Sequence, residues 1–282
     1  MIGTRYLGFA ARYATRLVES PDRANRVAAL LVNPRWPWPP WSLTTGETAN
    51  VTKLSRPVRV AGEKGAKRIA DKILDPTKRI IMLAQVTRDE QLSEAWIETG
   101  PAAFQSWDQP FRASGQTRGH DLPEDRRVED WIALVHDLMV TLDVASAILP
   151  AYETSTAVSS DVLLMGITHD SRWTGTTDLG PGDDFSAQNQ RAKYWREVVG
   201  AKYVRNARWG TYLRDHHIEA VGGLDRIRGE VEPARIDRLG ELTYFQLTET
   251  IDDALGPACN AKRRAFDAVL APILPPPIPP RT

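Results

Sequence analysis

One stretch, from Tyr203 to Leu274, restricts the possible folds of this chain more than any other. It opens Y-V-R-N-A-R-W-G-T-Y-L, a strand-like run of aromatic and β-branched residues that ends at Leu213. Asp215 is placed to cap a helix, I-E-A-V carries one turn into Gly222-Gly223, and L-D-R-I-R-G-E continues as a second short helical piece. P-A-R-I-D-R-L-G and E-L-T-Y-F-Q-L-T read as two strands broken at Gly240. The closing A-K-R-R-A-F-D-A-V-L-A-P-I-L places Ala265, Phe266, Val269, Leu270 and Ile273 at helical spacing. Strand, helix, strand, strand, helix is the order of an α+β layer, with helices packed on one face of a small antiparallel sheet.

Charge excludes more than it assigns. Lys plus Arg and Asp plus Glu number 36 each among 282 residues, so no overall field favours nucleic acid or an anionic membrane. Nine basic residues among positions 1 to 60, with Trp and Tyr nearby, would suit a single-strand groove, but no RNA-binding signature accompanies them. The expectation is no nucleic acid and no membrane partner. A single cysteine, Cys259, rules out an internal disulfide and any multi-thiolate metal site. No apolar run approaches the roughly 20 residues of a spanning helix. Arg5, Arg12 and Arg16 interrupt any leader-like core, and a cytoplasmic protein is expected.

Residues 1–31 are rich in Ala and Arg and predict a helix broken at Ser20-Pro21, anchored by Leu17, Val27, Leu30 and Leu31. N-P-R-W-P-W-P-P-W (Asn33 to Trp41) is extended and polyproline-like. Its tryptophans either fold back onto the chain's own core or are offered to an aromatic-lined groove. A helix follows from Gly62 to Leu74, then a buried strand from Arg79 to Val86 with an antiparallel partner at Ser93 to Thr99. Gly100 to Pro123 has little periodicity and reads as a long loop. Arg126 to Leu149 is the longest predicted helix, its apolar stripe running through Val128, Trp131, Ile132, Val135, Leu138, Met139, Leu142 and Leu149. A strand is expected at Asp161 to Thr168, a Gly/Asp/Thr loop over 169–184 and a helix at Ser186 to Val199. The organisation expected is therefore a helical and Trp/Pro-rich segment (1–60), a first α+β unit (61–185), a second (186–274) and a Pro-rich tail (275–282). Small antiparallel sheets in two similar halves, or one sheet shared between them, both satisfy that order.

Catalytic signatures are sparse. The chain has no Walker loop, no G-x-G-x-x-G after a strand and no G-x-S-x-G elbow. Cys259 near the start of the last helix could have a lowered thiol pKa, but it has no motif around it. The dipeptides His120-Asp121, His136-Asp137 and His169-Asp170 invite a metal-hydrolase reading. Their predicted settings (loop, helix, strand end) differ, and adjacent His216 and His217 cannot both face one ion from a helix. No metal and no cofactor are expected. His169 with Asp170 at a strand end remains an alternative hydrolase site, and a polyproline-presenting interaction protein is a further alternative.

R-W-G-T-Y-L-R-D-H-H-I-E-A-V-G-G-L-D-R-I-R-G-E, with R-I-D-R-L-G-E-L-T-Y-F-Q-L-T-E and A-F-D-A-V-L-A-P-I-L, resembles the C-terminal part of bacterial type VI and polymorphic-toxin immunity proteins. Trp209, Tyr212, Leu213, Gly222, Gly223, Leu239, Gly240, Leu247 and Thr248 are the positions that match. The resemblance covers about a quarter of the chain, on positions that speak to fold more than to partner. It implies a non-enzymatic, cytoplasmic protein that binds and blocks one cognate protein toxin encoded nearby. Asp178, Asp183 and Asp184 could mimic nucleic-acid phosphates against a nuclease toxin, or be no more than a solvated turn.

Overall fold

The computed structural model describes residues 6–13, 15–36, 41–46, 55–78, 80–86, 91–99, 111–118, 125–152, 204 and 206–274. The chain divides into two units, Met1–Val144 and Ala145–Thr282. Each combines helices with a small antiparallel sheet, so the class is α+β.

In the first unit, β1 (Tyr6–Tyr13), α1 (Pro21–Leu31), β2 (Trp41–Gly46), β3 (Val58–Val60) and α2 (Gly62–Ile73) come first. They are followed by β4 (Ile80–Val86), β5 (Gln91–Glu98), β6 (Phe111–Arg118) and α3 (Asp125–Leu142). The strands lie in the order β3-β2-β4-β5-β6-β1, every pair antiparallel. α1 starts on Pro21, whose fixed φ suits a first turn, and buries Ala24, Val27, Ala28 and Leu31 as one stripe. α2 buries Gly65, Ile69, Ala70 and Ile73 in the same way and packs on β3, β4 and α1. Just beyond it the Asp75 carboxylate accepts from Thr77 N at 2.9 Å and Thr77 Oγ1 at 2.6 Å, which holds its pKa below the usual value. α3 is fixed by Trp131, whose ring sits 6.4 Å from that of Phe9 on β1.

The predicted helix at 62–74 and the strands at 79–86 and 93–99 are present, the latter two paired as expected. Three expectations are overturned. The N-terminal Ala/Arg-rich run is not a broken helix: its first part is β1, paired along its whole length with β6 from Tyr6↔Arg118 to Tyr13↔Phe111. Ladder hydrogen bonds and burial of Leu7, Phe9 and Tyr13 outweigh the helix preference of alanine. By the same pairing, the loop expected at Gly100 to Pro123 contains strand β6. The long helix ends at Leu142 rather than Leu149. Asp143 turns left-handed at φ 56°, and the apolar run resumes as a strand. Of the Trp/Pro segment, Trp36 is buried and its Nε1 donates to Leu30 O at 2.5 Å, so this ring folds back onto the end of α1. Trp41 opens β2, and residues 37–40 lie outside the described residues.

The second unit contains β7 (Ser146–Leu149), β8 (Ala151–Tyr152), β9 (Gly210–Arg214), α4 (Asp215–Ala220) and α5 (Leu224–Val231). It ends with β10 (Arg235–Leu239), β11 (Leu242–Gln246) and α6 (Pro257–Leu270). β10, β11, β9 and β7 form an antiparallel ladder in that order. From β9 onward this is the predicted strand, helix, strand, strand, helix, although the first strand begins only at Gly210. The cap expected from Asp215 falls one residue earlier, on Arg214, because Asp215 is already helical. β10 and β11 meet across a two-residue turn in which Gly240 has φ 69°, a conformation that carries almost no penalty without a Cβ. Phe245 of β11 meets Phe266 of α6 edge-on at 5.4 Å, and α5 packs on α6. The strand expected at 161–168, the loop at 169–184 and the helix at 186–199 lie outside the described residues.

Candidate functional site

The residues carrying the sequence resemblance converge in the second unit. Trp209 leads into β9, and Gly210, the first residue of that strand, faces Gln246 across the ladder. A Cβ at Gly210 would lie 2.7 Å from Tyr244 Cε2 and 2.9 Å from Leu149 Cβ. Glycine is therefore required for Tyr244 to lie where it does. Tyr212 and Tyr244 face each other across β9 and β11 with ring centroids 4.9 Å apart. Full burial, reinforced by Tyr244 and Asp237, pushes the Tyr212 phenol well above its ordinary value. It stays neutral, as a core aromatic.

From Tyr244 a run of buried hydrogen bonds leads to the surface. Tyr244 Oη donates to Gln246 Oε1 at 3.1 Å, and Gln246 Nε2 donates to Thr248 O at 2.8 Å and Glu249 O at 3.2 Å. Trp209 Nε1 donates to Thr248 Oγ1 at 3.0 Å, and that hydroxyl donates to Thr250 O at 3.0 Å. Thr250 caps the 3-10 turn Ile251–Asp253 by accepting from Asp253 N. Buried polar groups left unmatched are costly, so this network sets the path of the loop that exposes Glu249, Thr250, Asp252 and Asp253. Sequence reasoning missed Gln246. A polar residue inside the apolar run L-T-Y-F-Q-L was the available signal.

A second clamp holds the approach to β9 against α6. Asp267 accepts from Ala207 N at 2.7 Å and from the Asn206 side chain, with Arg208 and Arg263 nearby. Desolvation outweighs those contacts, so the carboxyl sits above its ordinary pKa. Asn206 Oδ1 is left buried without a hydrogen-bond partner. On the hairpin, Arg238 Nη2 donates to Asp215 Oδ2 at 2.6 Å and Nη1 donates to Thr243 Oγ1 at 3.0 Å. Asp215 Oδ1, 2.5 Å from Nη1, is matched by charge without a directed hydrogen bond.

The remaining sequence candidates scatter. His136 is buried on α3. His217 is buried with its Nδ1 accepting from Arg214 N, while exposed His216 rests on it at 4.0 Å. Among the described residues no group of three or more His, Cys, Asp or Glu could hold a metal ion. Burial pushes the Cys259 thiol up against the opposing pull of Arg263, a Thr248 hydrogen bond and Lys262, which does not favour a nucleophilic thiolate. Of the matched glycines, Gly222 and Gly223 make the corner between α4 and α5 with φ of 99° and 93°. Leu213 and Leu247 are core, and Leu239 pairs with Leu242 beside the hairpin turn. His120, His169, Asp170, Asp178, Asp183 and Asp184 lie outside the described residues. No described helix is long and apolar enough to cross a membrane.

The geometry thus defines an α+β protein whose distinctive motif holds a surface loop and a charged hairpin in place. No protein-family model matches the sequence, and no curated protein matches it. Among solved structures, the chain is similar to a Pseudomonas aeruginosa type VI secretion system (T6SS) protein, PA0821, with a TM-score of 0.54 and 12% identity. The match covers 96% of this chain and 74% of that one. At this identity the likeness is one of fold.

Proposed function

We propose that this protein is a non-enzymatic immunity protein that binds and neutralises a cognate bacterial toxin in a type VI or related polymorphic-toxin system. The observation that carries the reading is the likeness of fold, along 96% of the chain, to a protein described as belonging to a T6SS. The sequence resemblance of Tyr203 to Leu274 to immunity proteins points the same way. The destinations of the matched residues support it as well. Trp209, Tyr212 and Thr248 are all buried, as is Tyr244 against Tyr212, and what they stabilise is surface. A stoichiometric inhibitor works through a rigid surface of this kind, because pre-organisation lowers the ordering cost of binding. Asp178, Asp183 and Asp184 belong to the same proposal as candidate toxin contacts.

The test is co-expression with the product of the adjacent gene, read as growth and as co-purification of the pair. Growth arrest relieved by this protein, together with a stable complex, is the expected result. A harmless neighbour that is not retained would overturn the reading.

A further inference from the structure

The first unit carries a charged surface of a different kind. Arg56 and Arg59 are exposed at and beside β3, the end strand of its sheet, and Lys64, Lys67 and Arg68 are exposed on α2, with Lys72 half-exposed. The burial of Gly65, Ile69, Ala70 and Ile73 directs these residues to the opposite face of the helix. A Cβ on Gly65 would lie 3.0 Å from Val60 C, so the start of α2 lies directly on β3 and the basic residues of both elements share one corner. Among the described residues, Arg56, Arg59, Lys64, Lys67 and Arg68 form no side-chain ion pair or hydrogen bond. Lys72 acts on Asp75 at longer range. Lys64 with Arg68, and Arg68 with Lys72, are like charges one turn apart, whereas Lys67 has Glu63 and Asp71 at the same spacing.

We infer that this β3–α2 corner docks the partner, and that the partner meets it with an acidic protein surface. The inference rests on the immunity reading and supplies the partner's chemistry. A protein fits better than a polyphosphate because Glu63 and Asp71 are exposed on the same helix, and a protein surface can set a Lys or Arg against them among its carboxylates where a uniform row of phosphates cannot. Among the described side chains of the corner no aromatic is exposed as a stacking platform, and Val58 is the one large apolar side chain exposed. A membrane surface would call for a stripe of such residues. Unpaired cations beside a small apolar contact suit an interface steered by complementary charge.

The test measures binding of the purified adjacent-gene product to the wild-type full-length chain, to Lys64→Glu/Arg68→Glu and to Arg228→Glu on α5 as a control, across a salt series. The double variant is expected to weaken binding about tenfold or more and to flatten its salt dependence, with the control within about twofold of wild type. Circular dichroism checks folding, and Lys64→Gln/Arg68→Gln provides a milder second variant expected to fall between the two. Equal binding by wild type and both corner variants overturns the inference and leaves the immunity reading standing. A loss confined to Asp183→Asn/Asp184→Asn, with the corner variants unaffected, overturns it in favour of the acidic stretch. Failure of the wild type to bind overturns both readings. Retention of a DNA duplex or of phosphatidylglycerol vesicles by the wild type, lost in the double variant, overturns the protein-partner assignment.

Discussion

The two units share a layered α+β construction, but the β3–α2 corner of the first and the described arginines of the second treat their charges in opposite ways. Among the described residues of the second unit, five arginines are ion-paired: Arg214 with Glu241, Arg226 with Glu230, Arg228 with Asp225, Arg235 with Asp237 and Arg238 with Asp215. Three of these pairs involve the β10–β11 hairpin, where charge also discourages pairing of the exposed β10 edge with another chain. In the first unit Arg16 pairs with Glu19, while among the described residues the exposed cations Arg56, Arg59, Lys64, Lys67 and Arg68 of the β3–α2 corner form no ion pair. Neutralised charge is suited to holding a fold. Uncompensated charge favours association, since a partner can supply the missing counter-charge.

Substitutions can break or sharpen this contrast. The largest effect is expected in the core of the second unit. Phe266→Ala removes the ring against Phe245 and should cost about 3–5 kcal/mol in urea denaturation. Gly210→Ala comes next. Its methyl group would overlap Tyr244 and Leu149, giving an expected loss of about 1–3 kcal/mol and, if Tyr244 is displaced, a change in near-ultraviolet circular dichroism.

Asp267 separates hydrogen bonding from charge. Asp267→Ala leaves Ala207 N without its acceptor and should cost about 1–3 kcal/mol, whereas Asp267→Asn keeps an acceptor and should cost less. Because the folded pKa is raised, the folded state binds this proton more tightly than the unfolded chain. The stabilising contribution is complete below the unfolded value and is lost as pH rises through the folded one. Denaturation across the mildly acidic range should reveal that loss in wild type and not in Asp267→Asn. The smallest stability effect belongs to the first unit. Lys64→Glu/Arg68→Glu should shift stability by less than about 0.5 kcal/mol, since exposed charges far from any pair contribute little. A large loss in that variant would mean that the corner is structural, and the contrast between the units would fail.

Legibility in sequence followed the same division. From Gly210 to Leu270 each element announces itself: glycines mark the turns, Pro257 opens α6, and β-branched and aromatic residues form the strands. β6, F-R-A-S-G-Q-T-R, alternates, but its buried positions Ala113 and Gly115 are too small to stand out as a hydrophobic pattern, and its place comes from the strands on either side of it, β1 and β5. β7 was absorbed into the helical stripe of α3, since Ala147, Ile148 and Leu149 are buried apolar residues in either state and only Asp143 marks the break. At the candidate site, Trp209, Tyr212 and Gly240 were legible as pattern. The Gln246 relay and the Asp267 clamp were not, because each depends on partners far apart in the chain.

That distance has a consequence for how the protein is made. Leu149 of β7 pairs with Gly210 of β9, about sixty positions later, whereas β9, β10 and β11 follow one another closely. During synthesis β7 leaves the ribosome seconds before the strand that will cover it, at roughly 5–20 residues per second. Its apolar residues are without that neighbour for the interval. The C-terminal hairpin is compact in sequence and can assemble first, so β7 joins a template already formed. The docking of an early strand onto a late one is then the step expected to be slowest, and the point at which a chaperone or a premature partner would have greatest access.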